Sequence, residues 1–370
     1  MHKNFFRIGI EKAYELGNRS PIRFENDRRI SQNIIDSYWE NGFYIFENLI
    51  SKNELYNLIS DLEETLSRAP VSEDSNLDKN GHPAIGNEFS IPTFSFAKPL
   101  SDPLGGTLKS YGRHEVKMDE PDPFLQSPKQ VIWKIMGTMQ IMESCLRLYA
   151  HPSLLLMSEA INGSDFTPFV ESIWIKEPGL GVSTSWHQDG TTHWNNPNWD
   201  EGIHGCNFMT QLFKTTPENA LWVIPKSHKL GKIDIKAKVK SNGNVWFKDA
   251  VPMLCKPGDV AIVNRQILHG SFANTSSDRR VTVVFGFHRR NAVLGIERLS
   301  NNGDKIVYDE ELIFKKSRII QLAIDARSQH FADEQSYVYA PMKGFNEMNK
   351  YNTENIKIVL KNYNVNSLYL

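Results

Sequence analysis

The sequence predicts a mainly β fold with helical additions: a double sheet or barrel of the jelly-roll kind, flanked by N- and C-terminal helices. Two observations carry this expectation. Between Phe169 and His288 short β-type runs alternate with turn signals, a spacing typical of antiparallel sandwiches and barrels. Helical periodicity is found only before and after that stretch. The 370 residues, 40% hydrophobic and 23% charged, can bury a large core, and decorated barrels of this size form one unit. A single domain over 1–370 is therefore expected, with a helical N-terminal part over about 30–168, a β core over about 169–290 and a C-terminal helical extension over 291–370.

The elements follow in order. Tyr38 to Phe46 reads as a helix end, a stop at Gly42 and a short apolar strand. Ser51 and Glu54 stand in capping-box spacing, and Leu55, Leu58, Ile59, Leu62 and Leu66 then form one apolar stripe, so Ser51 to Leu66 is an amphipathic helix. Residues 71–122 are rich in Gly, Pro, Ser, Asn and Asp without a sustained period, and read as an irregular insert, either a cover over a site or a plain surface excursion. Pro128 to Leu148 returns to helical spacing through Val131, Ile135, Met139 and Met142. The β runs are Glu171 to Ile175, Cys206 to Phe213, Leu221 to Ile224, Val260 to Val263 and Val281 to Phe287, and Glu310 to Phe331 is helical again.

Charge excludes one class of partner. Forty-two basic residues against forty-three acidic ones leave no basic footprint for a nucleic acid. Cys145, Cys206 and Cys255 are scattered and odd in number, so they build neither a disulfide framework nor a CxxC metal site, and read as reduced thiols. No apolar stretch is long enough to span a bilayer and the N-terminus has no signal-like apolar core, so a soluble, cytoplasmic chain with no membrane partner is expected; the oligomeric state is not legible.

The chemistry concentrates in Ser185-Trp-His-Gln-Asp-Gly190. On a strand, His187 and Asp189 share a face and can share one ion. His269, in Leu268-His-Gly-Ser-Phe-Ala-Asn274, supplies a third ligand after the strand-like run that opens at Gly258-Asp259. Two imidazoles and one carboxylate form the facial triad suited to iron(II) oxygenases, with three positions left open. A 2-oxo acid fills two of these and dioxygen the third. The far carboxylate of 2-oxoglutarate then needs a buried cation with parallel donors, which favours arginine. Arg280 lies eleven residues after His269 at the start of a strand, so the two are expected to point into one barrel from neighbouring strands. Arg279 is the adjacent candidate, and strand alternation lets only one of the pair face inward. A His-x-Asp pair alone arises readily by chance in a chain with eleven histidines; the conjunction of all four residues carries the reading.

At these residues the sequence resembles the phytanoyl-CoA dioxygenase family. Trp186-His-Gln-Asp-Gly190, Leu221-Trp-Val-Ile-Pro-Lys-Ser-His228 and His269-Gly-Ser-Phe-Ala-Asn274 followed by Arg280 carry the resemblance, over roughly residues 30 to 290. It implies a cupin-like double-stranded β-helix with helices packed on one side. It implies Fe(II), 2-oxoglutarate and O2 as cofactor and co-substrates, with His187, Asp189 and His269 as metal ligands and catalytic centre. Arg280 binds the far carboxylate of 2-oxoglutarate, and Ser271 is a second contact to it. Lys176 matches a family Lys-Pro-Pro-Gly near the pocket, the plain alternative being a surface lysine. Lys226 replaces the usual glycine of a Pro-Gly-Ser-His turn, and Glu177 replaces a proline.

The implied activity is that of an iron- and 2-oxoglutarate-dependent dioxygenase, a hydroxylase of an unactivated C–H bond in a small organic substrate, releasing succinate and carbon dioxide. Related halogenases carry a small residue where Asp189 stands, so hydroxylation, desaturation or ring closure is expected over halogenation. The segment from Thr191 to Asp200, with Trp194 and Trp199, either lines the mouth or only packs the loop. A fatty acyl thioester, an amino acid derivative and a natural-product scaffold all stay open as substrate. Two other classes also stay open: a cupin-like metal-binding protein without oxygenase activity, which would need no Arg280, and a zinc hydrolase on the same triad, for which Glu171 or Glu177 would have to act as base.

Overall fold

The computed structural model describes residues 2–25, 28–89, 91–190, 205–299 and 305–360. The chain opens with α1 (His2–Glu15), β1 (Arg19–Ser20), α2 (Gln32–Asn41), β2 (Phe43–Phe46) and α3 (Lys52–Ser67). β3 (Phe94–Ala97) and β4 (Val131–Met136) follow, then α4 (Thr138–Ile141), α5 (Glu143–Tyr149) and α6 (Pro152–Asn162). The next strands are β5 (Thr167–Lys176), β6 (Thr184–His187), β7 (Cys206–Gln211) and β8 (Trp222–Val223), and α7 (Ile235–Asn242) precedes β9 (Val251–Pro252), β10 (Val260–Asn264), β11 (His269–Ser271) and β12 (Arg280–His288). The C-terminal part holds α8 (Arg290–Val293), β13 (Glu297–Leu299), β14 (Lys305–Val307), the long α9 (Glu310–His330) and the short α10 (Thr353–Asn355).

Two sheets make the core. The larger has the order β1-β2-β10-β7-β12-β5-β4-β3 and the smaller β6-β11-β8-β9. Side chains from both meet between them: Phe43, Met209, Ala261 and Val284 from the larger sheet against Val223 and Val251 from the smaller. The other face of the large sheet is buried under helices, where Val281, Val283, Phe285 and Phe287 join Leu58 and Leu62 of α3, Leu146 of α5, Leu154 of α6 and Ile320 of α9. Strand alternation produces this division: along β10, Val260 and Ile262 face the helices while Ala261 and Val263 face the opposing sheet. A strand buried on both faces reads as a continuous apolar run rather than an alternating one. That is the predicted jelly roll with helices on one side.

Gly42 ends α2 with φ 82°, a left-handed conformation that glycine adopts without a Cβ clash, and the chain turns directly into β2. Lys226, the residue that stands for a family glycine, also lies in the left-handed region at φ 66°, so the turn keeps its shape and the lysine carries the strain.

Three expectations are corrected. Val131 to Met136 is a strand, paired with β3 on one side and β5 on the other. Val131 and Ile135 fit a period of four, but Val131, Trp133 and Ile135 equally fit a period of two, and the β-branched residues favour the ladder. Helix begins only after Gly137, and besides the strand expected up to Phe46, which is β2, the N-terminal part contributes β3 and β4 to the large sheet. The insert over 71–122 contains β3. The third concerns Glu54. Ser51 accepts from the Glu54 amide at 3.2 Å, yet the Glu54 carboxylate does not complete a capping box; it is buried and takes Arg327 of α9 through both oxygens, at 2.6 and 3.2 Å.

Candidate metal centre

His187 is the last residue of β6, and His269 the first of β11, and the two are direct partners in the antiparallel ladder. Their rings lie 4.1 Å apart between centroids. Asp189 sits just past the end of β6 rather than within it; its amide donates to the Arg265 carbonyl at 2.8 Å and returns the carboxylate toward the rings. One ligating atom from each of the three falls within 4.8 Å of the others, all buried, a group that could hold a metal ion.

The protonation pattern suits a cation. His187 Nδ1 donates to the Ser185 carbonyl at 2.8 Å and His269 Nδ1 to the Ile267 carbonyl at 2.9 Å. A carbonyl can only accept, so each ring carries its proton on Nδ1 and keeps the Nε2 lone pair. Burial holds both imidazoles below their ordinary pKa, and hence neutral. Burial alone would raise the Asp189 carboxyl, but the groups around it, Arg113 first and then His269 and Arg265, together outweigh burial and bring the carboxyl to about 2. The carboxylate is fully charged at neutral pH. His187 Nε2 and Asp189 Oδ1 stand 3.6 Å apart, a gap that two metal–ligand bonds of about 2 Å can bridge.

Asp189 is held from two sides. Asn207 on β7 donates to Oδ2 at 2.8 Å, and Arg113 Nη1 lies 2.9 Å from Oδ1. Gly286 is the strand partner of Asn207 on β12, and a Cβ there would meet the Asn207 Oδ1 at 2.5 Å, so only glycine leaves the amide its place. His114 stacks beside His187 at 4.2 Å between centroids, donating from Nδ1 to Ser185 Oγ at 3.0 Å while Arg113 Nε donates to its Nε2 at 3.4 Å. Sequence reasoning missed Arg113 and His114, which come from the irregular insert. It also missed Asn207, although a lone asparagine in an apolar strand run was a readable signal.

The candidate anchor lies elsewhere in the same barrel. Arg280 begins β12, in register with Lys176 at the end of β5. Both are buried. Arg280 Nε donates to Thr282 Oγ1 at 2.9 Å and Nη1 to the Asn219 carbonyl at 3.2 Å; Thr282 Oγ1 in turn donates to Gln211 Oε1 at 2.8 Å. The Lys176 ammonium donates to the Phe272 carbonyl. Among the described residues neither cation forms an ion pair with a carboxylate, and burial, with Arg280 as second cause, drives the Lys176 pKa well down. Asp102 pulls on Lys176 from farther off without an ion-pair contact, so two neighbouring buried cations stand without a direct acid partner among the described residues, an arrangement that suits an anion. Arg279 instead faces out to Glu63 and Glu177, as strand alternation requires. Lys176 is not the surface lysine of the plain alternative. Arg280 and His269 enter the barrel from opposite sheets rather than from neighbouring strands. Ser271 is buried in β11, two residues beyond His269.

Of the two candidate hydrolase bases, Glu171 accepts from the Thr138 amide at 2.7 Å and from its hydroxyl through Oε2, among the helix-side residues, with Oε1 left without a hydrogen bond among the described residues and burial raising the carboxyl to about 7, while Glu177 is taken by Arg279. The segment 191–200, read as a mouth lining, lies outside the described residues. Among the described residues no helix is long and apolar enough to cross a membrane.

The profile of the family described as phytanoyl-CoA dioxygenase (PhyH) matches residues 134–282, which include His187, Asp189, His269 and Arg280. A phytanoyl-CoA dioxygenase of Arabidopsis thaliana is 24% identical over 258 residues, 66% of this chain and 84% of the relative. An L-proline trans-4-hydroxylase of Streptomyces griseoviridis is 23% identical over 214 residues, 51% of this chain and 80% of that one. The crystal structure of EctD from S. alaskensis with 2-oxoglutarate and 5-hydroxyectoine superposes with a TM-score of 0.50 at 18% identity, covering 74% of this chain and 80% of that chain, and shares its fold. With the ladder-paired histidines, the charged aspartate and the matched segment all in one barrel, residues 134–282 are similar to the phytanoyl-CoA dioxygenase family, and the site has the ligand set of a non-haem iron, 2-oxoglutarate-dependent oxygenase.

Proposed function

We propose that this oxygenase hydroxylates an unactivated C–H bond of a small organic molecule, with Fe(II) held by His187, Asp189 and His269 and 2-oxoglutarate anchored by Arg280. The observation that carries the reading is the pairing, in one barrel, of an open three-ligand site with a buried arginine that forms no ion pair with an acid among the described residues. A structural metal site has no use for that second feature.

When bound, the iron and 2-oxoglutarate supply an oxidant from dioxygen, yielding succinate and carbon dioxide and delivering one oxygen atom to the substrate. The chain's own residues set the stage for this. The Nδ1–H bonds of His187 and His269 to backbone carbonyls fix both rings with their lone pairs turned to the ion. Asn207 holds one oxygen of Asp189 and so orients the other. Thr282 and Gln211 lock the Arg280 fork, which reduces the entropy lost when a carboxylate docks on it. Lys176 adds charge beside Arg280, and Ser271 is the proposed second contact to the same carboxylate. Asp189 fills the position that a halide would otherwise need, which supports oxygen transfer over halogenation.

The test is succinate release from 2-oxoglutarate by the iron-loaded chain, with Asp189→Ala and Arg280→Ala as controls. Wild type is expected to exceed both variants across a broad substrate panel. Equal rates in all three would end the oxygenase assignment of these residues.

A further inference from the structure

The irregular insert runs along β6, the outermost strand of the smaller sheet, whose second edge has no ladder partner among the described residues. Four alternate residues of this stretch each meet the insert. The Ser183 amide donates to the Ser101 carbonyl at 2.9 Å, and Ser185 Oγ accepts from His114 Nδ1 at 3.0 Å. The His187 ring stacks on His114 at 4.2 Å between centroids, and Asp189 Oδ1 takes Arg113 Nη1 at 2.9 Å. A bare edge strand invites pairing with other chains, and a covering segment removes that hazard. The cover is itself tied together. Asp102 Oδ1 accepts from the Gly105 amide and Oδ2 from the Met118 amide, both at 2.9 Å, and the Gly106 amide donates to the His114 carbonyl at 2.8 Å. Arg113 is thus delivered to the metal-ligand carboxylate by a folded loop.

Arg113 and Asn207 each hold one oxygen of Asp189, but only the guanidinium carries charge. Its Nη1 is 2.9 Å from the oxygen that faces His187, and a metal–oxygen bond is about 2 Å, so an ion on Oδ1 lies within about 5 Å of a full positive charge. The Arg113 side chain is 16% exposed and that of Asp189 9%, so solvent screens this charge weakly. A fixed cation repels a trivalent ion more than a divalent one, because Coulomb energy scales with the product of the charges. A carboxylate ligand pulls the other way, toward ferric iron, and Arg113 offsets that pull while leaving the carboxylate in place. In the metal-free chain the same pair keeps Asp189 from standing as a lone buried charge.

We propose that Arg113 is a positioning residue that sets the redox poise of the iron: it aims Asp189 Oδ1 at the site, and its charge holds the resting ion in the ferrous form, the one able to react with dioxygen. This rests on the reading of His187, Asp189 and His269 as iron ligands. His114, held by Ser185 and stacked on His187, keeps the Arg113 chain in place through Nε. The insert that covers the β6 edge is then part of the metal site and not a plain surface excursion.

The test is the Fe(III)/Fe(II) midpoint potential of the full iron-loaded chain without 2-oxoglutarate, read from the high-spin ferric EPR signal in a mediated redox titration. Arg113→Gln keeps a donor for Oδ1 and loses the charge, Arg113→Met loses both, and Arg113→Lys keeps the charge. Arg113→Gln and Arg113→Met should each shift the preference toward ferric iron by about tenfold or more, a fall of about 59 mV or more for one electron, while Arg113→Lys stays near wild type. Wild-type potential in Arg113→Gln, or an Arg113→Lys as low as Arg113→Gln, overturns the proposal. Urea midpoints of the metal-free variants separate the plain alternative, since a purely structural role would lower them without moving the potential. Failure of the underlying reading looks different: wild type then takes up no more iron than Asp189→Ala.

Discussion

Asn207 donates from Nδ2 to Asp189 Oδ2 at 2.8 Å, holding the carboxylate oxygen opposite the one that Arg113 approaches. Hydrogen-bonding partners of metal ligands typically contribute about 10- to 100-fold to metal affinity. Asn207→Ala should lower iron affinity within that range without unfolding the chain, and Asn207→Asp should lower it further by setting two carboxylates side by side. Titration with cobalt(II), followed by its visible spectrum, measures both. Wild-type affinity in Asn207→Ala would show that Asp189 needs no second support.

Arg280 and Arg279 are adjacent, but only Arg280 enters the barrel. Arg280→Leu should raise the Kd for 2-oxoglutarate by about 100-fold, in line with loss of a buried charged hydrogen bond. Arg280→Lys should recover part of it, since the point charge remains and the fork is gone. Arg279→Ala should leave the Kd unchanged. Isothermal titration of the manganese-loaded protein distinguishes these, and a weakened Arg279→Ala would move the anchor to the wrong arginine.

The Glu54–Arg327 pair ties α3 to α9 with both side chains almost fully buried. Glu54→Ala leaves a buried guanidinium with Glu334 as its one acid partner among the described residues and should cost about 3 kcal/mol of stability. Glu54→Leu combined with Arg327→Met should recover most of that loss. Urea denaturation midpoints test it; a double variant as unstable as Glu54→Ala would mean that the pair contributes more than charge compensation.

His151, buried at the start of α6, is pressed to about 3 by burial first and by Arg327 second. The folded value lies below the unfolded one of about 6.5, so the unfolded chain binds the extra proton. The stability that the neutral ring contributes is whole above about pH 6.5 and drains as pH falls toward 3. At pH 4.5 the loss from this group is on the order of 2 kcal/mol. His151→Asn should therefore narrow the difference in urea midpoint between pH 7 and pH 4.5, and an identical difference in variant and wild type would contradict the assignment.

What was legible in the sequence followed from local chemistry. Gly42, the Leu58 and Leu62 stripe, and the apolar runs that became β7, β10 and β12 are read from propensity and period alone. His187, Asp189, His269 and Arg280 stood out because their residue types and spacing fit one ion and one dicarboxylate. The illegible parts depended on tertiary context. Val131 to Met136 fits both periods, and only its neighbours β3 and β5 decide for strand. Glu54 has two uses for one carboxylate, and a distant arginine takes it in place of its own helix terminus. Arg113 and His114 sit in an aperiodic insert, where nothing local distinguishes a residue that reaches the metal from one that meets water.

The central claim is that His187, Asp189 and His269 bind one iron which 2-oxoglutarate then chelates. Anaerobic titration of the chain with Fe(II) and then with 2-oxoglutarate, followed by the visible metal-to-ligand charge-transfer absorption, tests it most directly. The account predicts one iron per chain, absorption that develops only when both components are present, and its loss in His187→Ala, Asp189→Ala and His269→Ala. Absorption that persists in any one of these variants at wild-type affinity, or an iron stoichiometry unchanged across all three, would contradict it.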